Sequence, residues 1–495
     1  MDVEQFRKAG YQAIDRICDY YYSLQTKPVV ARVQLGYLKA MVPSTPPESG
    51  EDFQIIADDY QRLIVPGLTH WQHPSFFAYF PASCTFEGIL GDLYSSSVSN
   101  PGFNWACSPA CSELEVVVMD WAAKLLGLAP KFMNDSGVGG GVIQSTASEC
   151  AMLAIVAARA SHQRSYPDTK LEEFIIYITS QTHSLGIKAG MVLGLSVRIL
   201  EVKAEDNYSL RGDTLRSALE QDKKAGKKPL ILIATVGTTS SGAIDNLHEI
   251  KDVVGEHPYL RVHVDAAWGG VAFSCPEFRE LGYLDEINEF ADSFCTSFHK
   301  WGLVNLDATA LWVHDRKYLT EALNTTPPYL RTKQGDADTT IDYRNWHFAV
   351  GRRFRSSKLW FVLRSFGVQG FQQHIRKSIR LNNLFVDLIE QSDIIKIVTP
   401  PSLSLTVFRL EPPSQQWHDL QSLNALNTML FSRISARDDI YLTQTILSGK
   451  VCIRFVVGAE RTKESHIRRA FDTILKEAVV ALEEWKRIFG IIIIT

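Results

Sequence analysis

Between residues 134 and 313 the chain alternates short runs of β-branched and aromatic residues with segments of helical periodicity. This alternation is typical of an α/β domain, in which a mostly parallel sheet is covered by helices on both faces. The predicted strands are 174–179, 196–202, 229–235, 261–264, 293–297 and 308–313. Ligands of such sheets bind beyond the strand ends, so the residues that follow the strands are the first candidates for function.

Length and charge argue against several classes of protein. With 495 residues the chain is too long for one simple core and should form two or three packed parts. A formal net charge of -4 gives no electrostatic reason to expect nucleic acid or an acidic membrane as partner. No apolar run approaches the roughly 20 residues that span a bilayer, and residues 1–10 lack the apolar core of a secretory signal.

The eight cysteines are scattered and include no CxxC pair of zinc-site spacing. They are typical of reduced thiols in a cytoplasmic protein. We therefore expect a cytoplasmic protein without a metal site.

Residues 2–24 carry apolar side chains at helical spacing and precede a proline-rich linker at 43–50. This helix is expected to be an arm that packs on a second subunit. Residues 324–341 lack periodicity and are rich in turn residues, which predicts a long loop that is either a lid or disordered. The expected division is an N-terminal helical arm at 1–85, a large α/β domain at 86–381 and a small C-terminal α+β domain at 382–495.

One lysine stands at the end of a predicted strand. Residues 292–301, DSFCTSFHKW, form a strand-like run that ends in His299 and Lys300, and a second apolar run follows at 306–313. A lysine beside a histidine and between apolar strands can lose its charge and form a Schiff base with an aldehyde cofactor. A lone lysine is more often a surface residue at a turn, so this assignment depends on residues elsewhere.

Residues 137–149, GVGGGVIQSTASE, lead directly into an alanine-rich helical stretch at 150–160. Free backbone N–H groups at the start of a helix, with Thr146 and Ser148 as added donors, can bind a phosphate. The segment matches neither a Walker motif nor the dinucleotide fingerprint, and a simple helix cap explains it equally well.

Two more strand ends carry polar side chains. Asp265 follows an apolar strand and can either cap the next segment or pair with a protonated ring nitrogen. Because strand side chains alternate, Asp265 and Ala267 can face the same side of the sheet. One of them can then lie at the edge of a cofactor ring and the other beneath its face. His183 follows the strand at 174–179 and can stack over that ring. Together with Lys300 and the phosphate cradle, these residues indicate a pyridoxal 5'-phosphate site.

Aromatic and imidazole rings crowd residues 70–81, HWQHPSFFAYFP, a segment bounded by prolines. In an irregular loop such rings are either core or the wall of a pocket for a flat apolar ligand. Phe103 and Trp105 could belong to the same wall.

The chain resembles the group II aromatic L-amino acid decarboxylases along nearly its whole length. The resemblance rests on HPSFFAYFP at 73–81, HVDAA at 263–267, HKW at 299–301 and GRRFRS at 351–356. It implies the pyridoxal-phosphate type I fold, which is aspartate aminotransferase-like. This fold has a central mostly parallel sheet, an N-terminal helical arm and a small C-terminal α+β domain. It also implies pyridoxal 5'-phosphate as cofactor and a homodimer with its active site at the subunit interface.

The same resemblance implies the cofactor contacts. Lys300 would form the Schiff base, Asp265 would pair with the ring nitrogen, and His183 would stack on the ring. The remaining implied contacts are Thr146, Ala147 and Ser148 with the phosphate, His299 and Ser297 close to it, Thr238 near the ring substituents and Ala267 under the ring. Ser297 stands where the family usually has asparagine, and serine reaches less far, which puts its phosphate contact in doubt.

The implied reaction converts an aromatic L-amino acid to an arylalkylamine and CO2. Tyr329 would protonate the substrate's α-carbon, and the aldehyde-forming members of the family typically lack this tyrosine. The alternatives are an aromatic aldehyde synthase and a non-catalytic relative. The implied substrate pocket consists of Trp71, Tyr79, Phe80, Pro81, Phe103 and Gly351. Gly351 favours tryptophan, although animal members with glycine there take catechols, so phenylalanine, tyrosine and dopa stay open as substrates.

Overall fold

Seven short strands between residues 140 and 313 form one sheet in the order β1-β7-β6-β5-β4-β2-β3. β7 is antiparallel to both of its neighbours, whereas β6, β5, β4, β2 and β3 run parallel to one another. The predicted mostly parallel sheet is therefore confirmed. The strands are β1 (Gly140–Gln144), β2 (Phe174–Thr179), β3 (Ser196–Leu200), β4 (Lys228–Thr235), β5 (Arg261–Asp265), β6 (Ser293–Ser297) and β7 (Thr309–Val313).

The computed structural model describes residues 1–325, 327–332, 335, 340–413 and 419–488. Parts of the predicted loop at 324–341 and the C-terminal residues 489–495 lie outside the described residues. The α-helices of the described part are α1 (Val3–Ser23), α2 (Tyr37–Met41), α3 (Phe53–Asp59), α4 (Phe86–Val98), α5 (Pro109–Leu126), α6 (Ala147–Ser165), α7 (Leu185–Leu193), α8 (Gly212–Lys224), α9 (Leu247–Glu256), α10 (Leu284–Phe290), α11 (Phe298–Trp301), α12 (Lys317–Leu323), α13 (Arg355–Glu390), α14 (Leu420–Ser435) and α15 (Glu464–Ile488). Among these described helices, none is long and apolar enough to cross a membrane.

β1 was not predicted from the sequence. All five of its residues are buried, and Gly141 lies opposite Trp312 of β7. A Cβ atom on Gly141 would come within 2.6 Å of the Trp312 indole nitrogen, so only glycine fits. Glycine has a low strand propensity, so the sequence of this segment does not predict a strand. Val142 and Ile143 are the only two apolar side chains in β1.

A second, smaller sheet lies near the C-terminus. Its order is β10-β11-β9-β8, and all its pairs are antiparallel. The strands are β8 (Ile395–Ile397), β9 (Leu405–Leu410), β10 (Thr443–Leu447) and β11 (Lys450–Val456). Apolar residues of α13, α14 and α15 pack against it in a separate buried cluster. This small antiparallel sheet confirms the expected fold class, whereas the boundary at 381 and 382 stays a prediction because α13 runs across it.

α1 begins at an Asp2 cap, and none of its residues is buried. Its last turn contacts the aromatic loop: the Tyr20 hydroxyl lies 3.0 Å from His70 Nδ1, and Tyr21 donates to the Cys84 sulfur at 3.3 Å. The N-terminal half, with Phe6 and Tyr11, is exposed in the single chain. The middle of the helix is tied to α3 by an ion pair between Arg16 and Asp58 at 2.5 Å, so its first turns are the exposed part.

Three buried histidines make the fold sensitive to acid. Burial lowers the pKa of His263, His299 and His374 to about 4 in each case. In the unfolded chain their pKa is about 6.5, so the unfolded state binds protons first as pH falls. Stability is therefore full above about pH 6.5 and is lost as pH falls toward about 4, by on the order of 1–2 kcal/mol per histidine at pH 5.

We expect His374→Gln to reduce the loss of melting temperature between pH 7 and pH 5. The matched control is His248→Gln, because the His248 side chain is 64% exposed. Equal pH dependence of the two variants in thermal unfolding would contradict this explanation.

Candidate active site

Lys300 lies beyond the C-terminal end of β6, in the single helical turn Phe298–Trp301. The strand spans Ser293–Ser297 as predicted, and His299 and Lys300 follow it in the helical turn. The Lys300 ammonium nitrogen is 5.5 Å from the centre of the Phe80 ring. Burial lowers the pKa of Lys300, and the attraction of Asp265 opposes that shift. The neutral amine is thus easier to reach than in a lysine exposed to water.

The turn that carries Lys300 is tied to the aromatic loop. The Ser83 hydroxyl donates to the Lys300 carbonyl at 2.7 Å, and the Ser83 N–H donates to the His299 carbonyl at 2.7 Å. Thr85 adds a hydroxyl bond to the Leu303 carbonyl at 2.8 Å. Sequence reasoning missed Ser83 and Thr85, whose partners lie more than 200 positions away in the chain.

Asp265 is buried at the end of β5. Its Oδ1 accepts the Ala267 N–H at 3.0 Å and lies 3.8 Å from the Cys295 sulfur. Oδ2 has no hydrogen-bond partner in the described part of the chain. A buried carboxylate with one oxygen unused fits a protonated ring nitrogen, which would satisfy it.

His183 follows β2 and shares the electrostatic environment of Lys300 and Asp265. Its Nδ1 accepts the Leu185 N–H at 3.3 Å, so the ring proton of the neutral form is on Nε2. Desolvation and the Lys300 charge lower the pKa of His183, and Asp265 opposes them. The structure therefore brings together the predicted lysine, carboxylate and histidine at one edge of the sheet.

The predicted phosphate cradle lies at the N-terminus of α6, which begins at Ala147. Thr146 is the cap residue, and its hydroxyl accepts the Glu149 N–H at 3.3 Å. The backbone N–H groups of Ala147 and Ser148 have no acceptor in the described part of the chain. Free N–H groups at the positive end of a helix dipole fit a phosphate.

Two arginines of the GRRFRS motif form contacts that hold the segments preceding the start of α6. Arg355 donates to the Ser145 hydroxyl at 3.0 Å and to Asp307 at 2.9 Å. Arg352 forms a buried pair with Glu115 at 2.6 Å, and Glu115 also accepts the Ile143 N–H in β1 at 2.9 Å. These contacts fix the strand and the turn that precede α6.

Three further cofactor candidates are already engaged with protein groups. The Ser297 hydroxyl lies 2.8 Å from the Thr309 hydroxyl on the neighbouring strand. His299 Nδ1 accepts the Ala308 N–H at 3.0 Å, and its pKa of about 4 leaves a neutral ring with Nε2 as donor. Thr238 is buried, and its hydroxyl lies 2.8 Å from the Ser241 hydroxyl. His299 keeps an Nε2–H donor for a phosphate, and in the Ser297–Thr309 pair either hydroxyl can be the donor.

The implied substrate wall is built only in part by the single chain. Trp71 and Tyr79 stack at 5.5 Å, and Phe80 stacks on Trp268 at 4.4 Å. Pro81 is buried close to Gly458. The other two predicted wall residues, Phe103 and Gly351, make no hydrogen bond or ring contact with Lys300 or Phe80 within the described residues. The same holds for Tyr329, the predicted proton donor, which is 83% exposed.

Arg454 on β11 is a residue that sequence reasoning missed. Its guanidinium is 5.1 Å from the Phe80 ring, donates to the Thr443 hydroxyl at 3.0 Å and to the Tyr79 carbonyl at 3.3 Å. It is 3% exposed, Nε has no partner in the described part of the chain, and burial lowers its pKa to about 10. A buried cation without a carboxylate beside it is suited to bind an anion.

Residues 36–411 match the family model of the pyridoxal-dependent decarboxylase conserved domain. The chain belongs to the pyridoxal-dependent decarboxylase family. Among its relatives, tryptophan decarboxylase 2 of Oryza sativa subsp. japonica is 40% identical over 485 residues, which are 97% of this chain and 96% of the relative. Phenylacetaldehyde synthase of Arabidopsis thaliana is 40% identical over 487 residues, 98% of each chain.

The solved structure of Oryza sativa TDC with PLP and tryptamine has the same fold. It aligns with a TM-score of 0.93 and 36% identity, and the alignment covers 97% of this chain and 98% of that chain. The predicted decarboxylase family, the type I fold and pyridoxal 5'-phosphate as cofactor are thus confirmed.

Proposed function

We propose that this decarboxylase acts on aromatic L-amino acids, with tryptophan preferred, and releases the arylalkylamine and CO2. The observation that carries the proposal is the convergence of Lys300, Asp265 and His183 beside an aromatic wall at the sheet edge. Similarity to a tryptophan decarboxylase supports the substrate class. The equally similar aldehyde synthase shows that overall likeness does not select the product.

Pyridoxal phosphate, when bound to the Lys300 amine, supplies a ring that accepts the electrons left behind as CO2 departs. Each protein group then has one task. Asp265 Oδ2 would hold a proton on the ring nitrogen. In a low-dielectric site the carboxylate charge stabilises that protonated nitrogen most strongly. His183 covers the ring with a neutral imidazole, and the start of α6 binds the phosphate through Ala147 and Ser148. Thr146, Thr238, Ala267, Ser297 and His299 complete the proposed cofactor site.

Arg454 is proposed to bind the carboxylate of the incoming substrate. The guanidinium is fixed by Thr443 and Tyr79, leaves Nε unused and faces the same Phe80 ring as Lys300. Charge-assisted hydrogen bonds of this kind are strong and orient a planar carboxylate. The aromatic side chain of the substrate would then lie against Phe80, Trp71 and Tyr79.

We expect Arg454→Met to raise KM for tryptophan by about 10²-fold because a charge-assisted contact of roughly 1.5–3 kcal/mol is lost. Tryptamine lacks the carboxylate, so its inhibition constant should stay within about threefold, which is under 1 kcal/mol. Arg353→Met is the matched control because the Arg353 side chain is 61% exposed. Equal weakening of tryptophan and tryptamine would remove Arg454 from carboxylate binding.

The enzyme is further proposed to be a cytoplasmic homodimer with its active site at the subunit interface. α4 carries an exposed apolar face of Phe86, Leu90, Tyr94 and Val98. α1 and α3 line a mainly apolar groove of about 580 Å³. Such surfaces favour burial against a second copy. All eight cysteines are free thiols, in keeping with a reducing compartment.

The substrate assignment is tested by competition among equal amounts of tryptophan, phenylalanine, tyrosine and dopa, with products identified by mass. Tryptamine should form fastest. A preference for dopa or tyrosine would overturn the tryptophan assignment, and turnover of glutamate alone would overturn the aromatic class.

A further inference from the structure

Cys295 lies directly beside the carboxylate that is proposed to hold the ring proton. β5 and β6 run parallel, and Asp265 is paired with Cys295 in their register. The Cys295 sulfur is 3.8 Å from Asp265 Oδ1, within the range of a sulfur hydrogen bond, and the thiol is fully buried. Its hydrogen can therefore be donated to Oδ1.

Cys295 must be protonated to donate this hydrogen bond, and its surroundings favour the protonated thiol. The neighbouring buried thiol of Cys150 on α6, and then burial, raise the pKa of Cys295 well above its ordinary value. Cys295 thus keeps its proton at neutral pH and does not place a second negative charge beside Asp265.

The two oxygens of Asp265 consequently have different surroundings. Oδ1 faces two donors, the Ala267 N–H and the Cys295 S–H, whereas Oδ2 has no partner within the described residues. Two donors on one oxygen restrict rotation of the carboxylate group. A thiol is a weak donor, so it orients Asp265 while withdrawing little charge from it.

We propose that Cys295 is a positioning residue that holds Asp265 through Oδ1, so that Oδ2 faces the ring nitrogen of bound pyridoxal phosphate. This inference rests on the proposed function, since it concerns the same cofactor site. The ordinary alternative is that Cys295 is a small apolar residue that only fills space on a buried strand. The two explanations differ in what serine at this position should do.

Cys295→Ala removes the donor, and Cys295→Ser keeps one of similar size. Cys275→Ala is the matched control because Cys275 is a fully buried free thiol without a contact to Asp265. Four quantities are measured on purified protein. They are the dissociation constant of pyridoxal phosphate, the pH midpoint of the absorbance band of the bound cofactor, and kcat and KM for tryptophan.

The loss of one hydrogen bond to a charged group is expected to weaken cofactor affinity in Cys295→Ala by about tenfold. The pH midpoint should fall because the ring proton is held less firmly, and kcat should fall with KM unchanged. Cys295→Ser should restore affinity and midpoint to near those of the unmodified enzyme.

An unchanged pH midpoint in Cys295→Ala, or a serine variant no better than alanine, would overturn the positioning role and support simple packing. If the unmodified protein does not bind pyridoxal phosphate, this result contradicts the proposed function itself. A binding but inactive unmodified enzyme would contradict the reaction while leaving the role of Cys295 measurable through affinity and absorbance.

Discussion

Replacing Asp265 by alanine is expected to lower kcat with tryptophan by at least about 10³-fold, while Lys300 still binds pyridoxal phosphate covalently. The carboxylate is buried, and its Oδ2 is the oxygen left for the ring nitrogen. Without it the ring nitrogen would hold its proton less firmly, and the ring would accept less readily the electrons left on the α-carbon as CO2 departs. Rate should therefore fall far more than cofactor affinity, which is measured by absorbance and equilibrium dialysis.

Asp245→Asn is the matched control for that variant. Asp245 is a buried carboxylate that accepts the Leu210 and Thr235 N–H groups, and burial raises its pKa to about 6. Its replacement should lower the melting temperature but leave kcat nearly unchanged. An Asp265→Ala enzyme within about tenfold of normal kcat, a cost of only about 1.4 kcal/mol, would exclude Asp265 from the proposed task.

The second large effect is expected from Tyr329→Phe. The Tyr329 phenol is the proposed donor of the proton that the α-carbon takes up after CO2 has left, and this protonation leads to the amine product. Without it, amine formation should fall by about 10²-fold or more, the usual contribution of a general acid. The aldehyde should appear instead, in a reaction that consumes O2 and water and releases CO2, ammonia and hydrogen peroxide. Product masses and a peroxide assay measure the change, and undiminished amine output would remove Tyr329 from the acid role.

Tyr329 lies in the short 3₁₀ turn Pro328–Leu330 and is largely exposed, so it is proposed to act at the active site of the second subunit. Mixed dimers of differently tagged Lys300→Ala and Tyr329→Phe subunits separate the two possibilities. If Tyr329 acts across the interface, one site per mixed dimer is complete and amine forms. If it acts within its own chain, the mixed dimer produces no more amine than the parent variants.

The sequence was sufficient for the residues whose positions follow from strand ends. Asp265 ends β5, whereas Lys300 and His183 follow β6 and β2 of the same sheet, and parallel strands present such residues at a common edge. The helix start at Thr146 was also predictable because cap residues and glycines have a local signature. These predictions needed only the neighbouring sequence.

What the sequence could not supply depends on distant contacts. Arg454 is proposed as an anion site partly because its guanidinium donates to the Tyr79 carbonyl, 375 positions away in the chain. The shorter reach of Ser297 toward a phosphate was apparent from the sequence, but its pairing with Thr309 required the strand register. The position of the Cys295 thiol beside Asp265 likewise became apparent only from the pairing of β5 with β6.

The proposed reaction of this chain converts an aromatic L-amino acid into its amine without oxidation. The most direct test is the product balance of the purified enzyme with tryptophan and pyridoxal phosphate in air. We predict equal amounts of tryptamine and CO2, no oxygen uptake and no hydrogen peroxide. Indole acetaldehyde, ammonia and hydrogen peroxide in amounts equal to the CO2 would contradict the account and identify an aldehyde synthase.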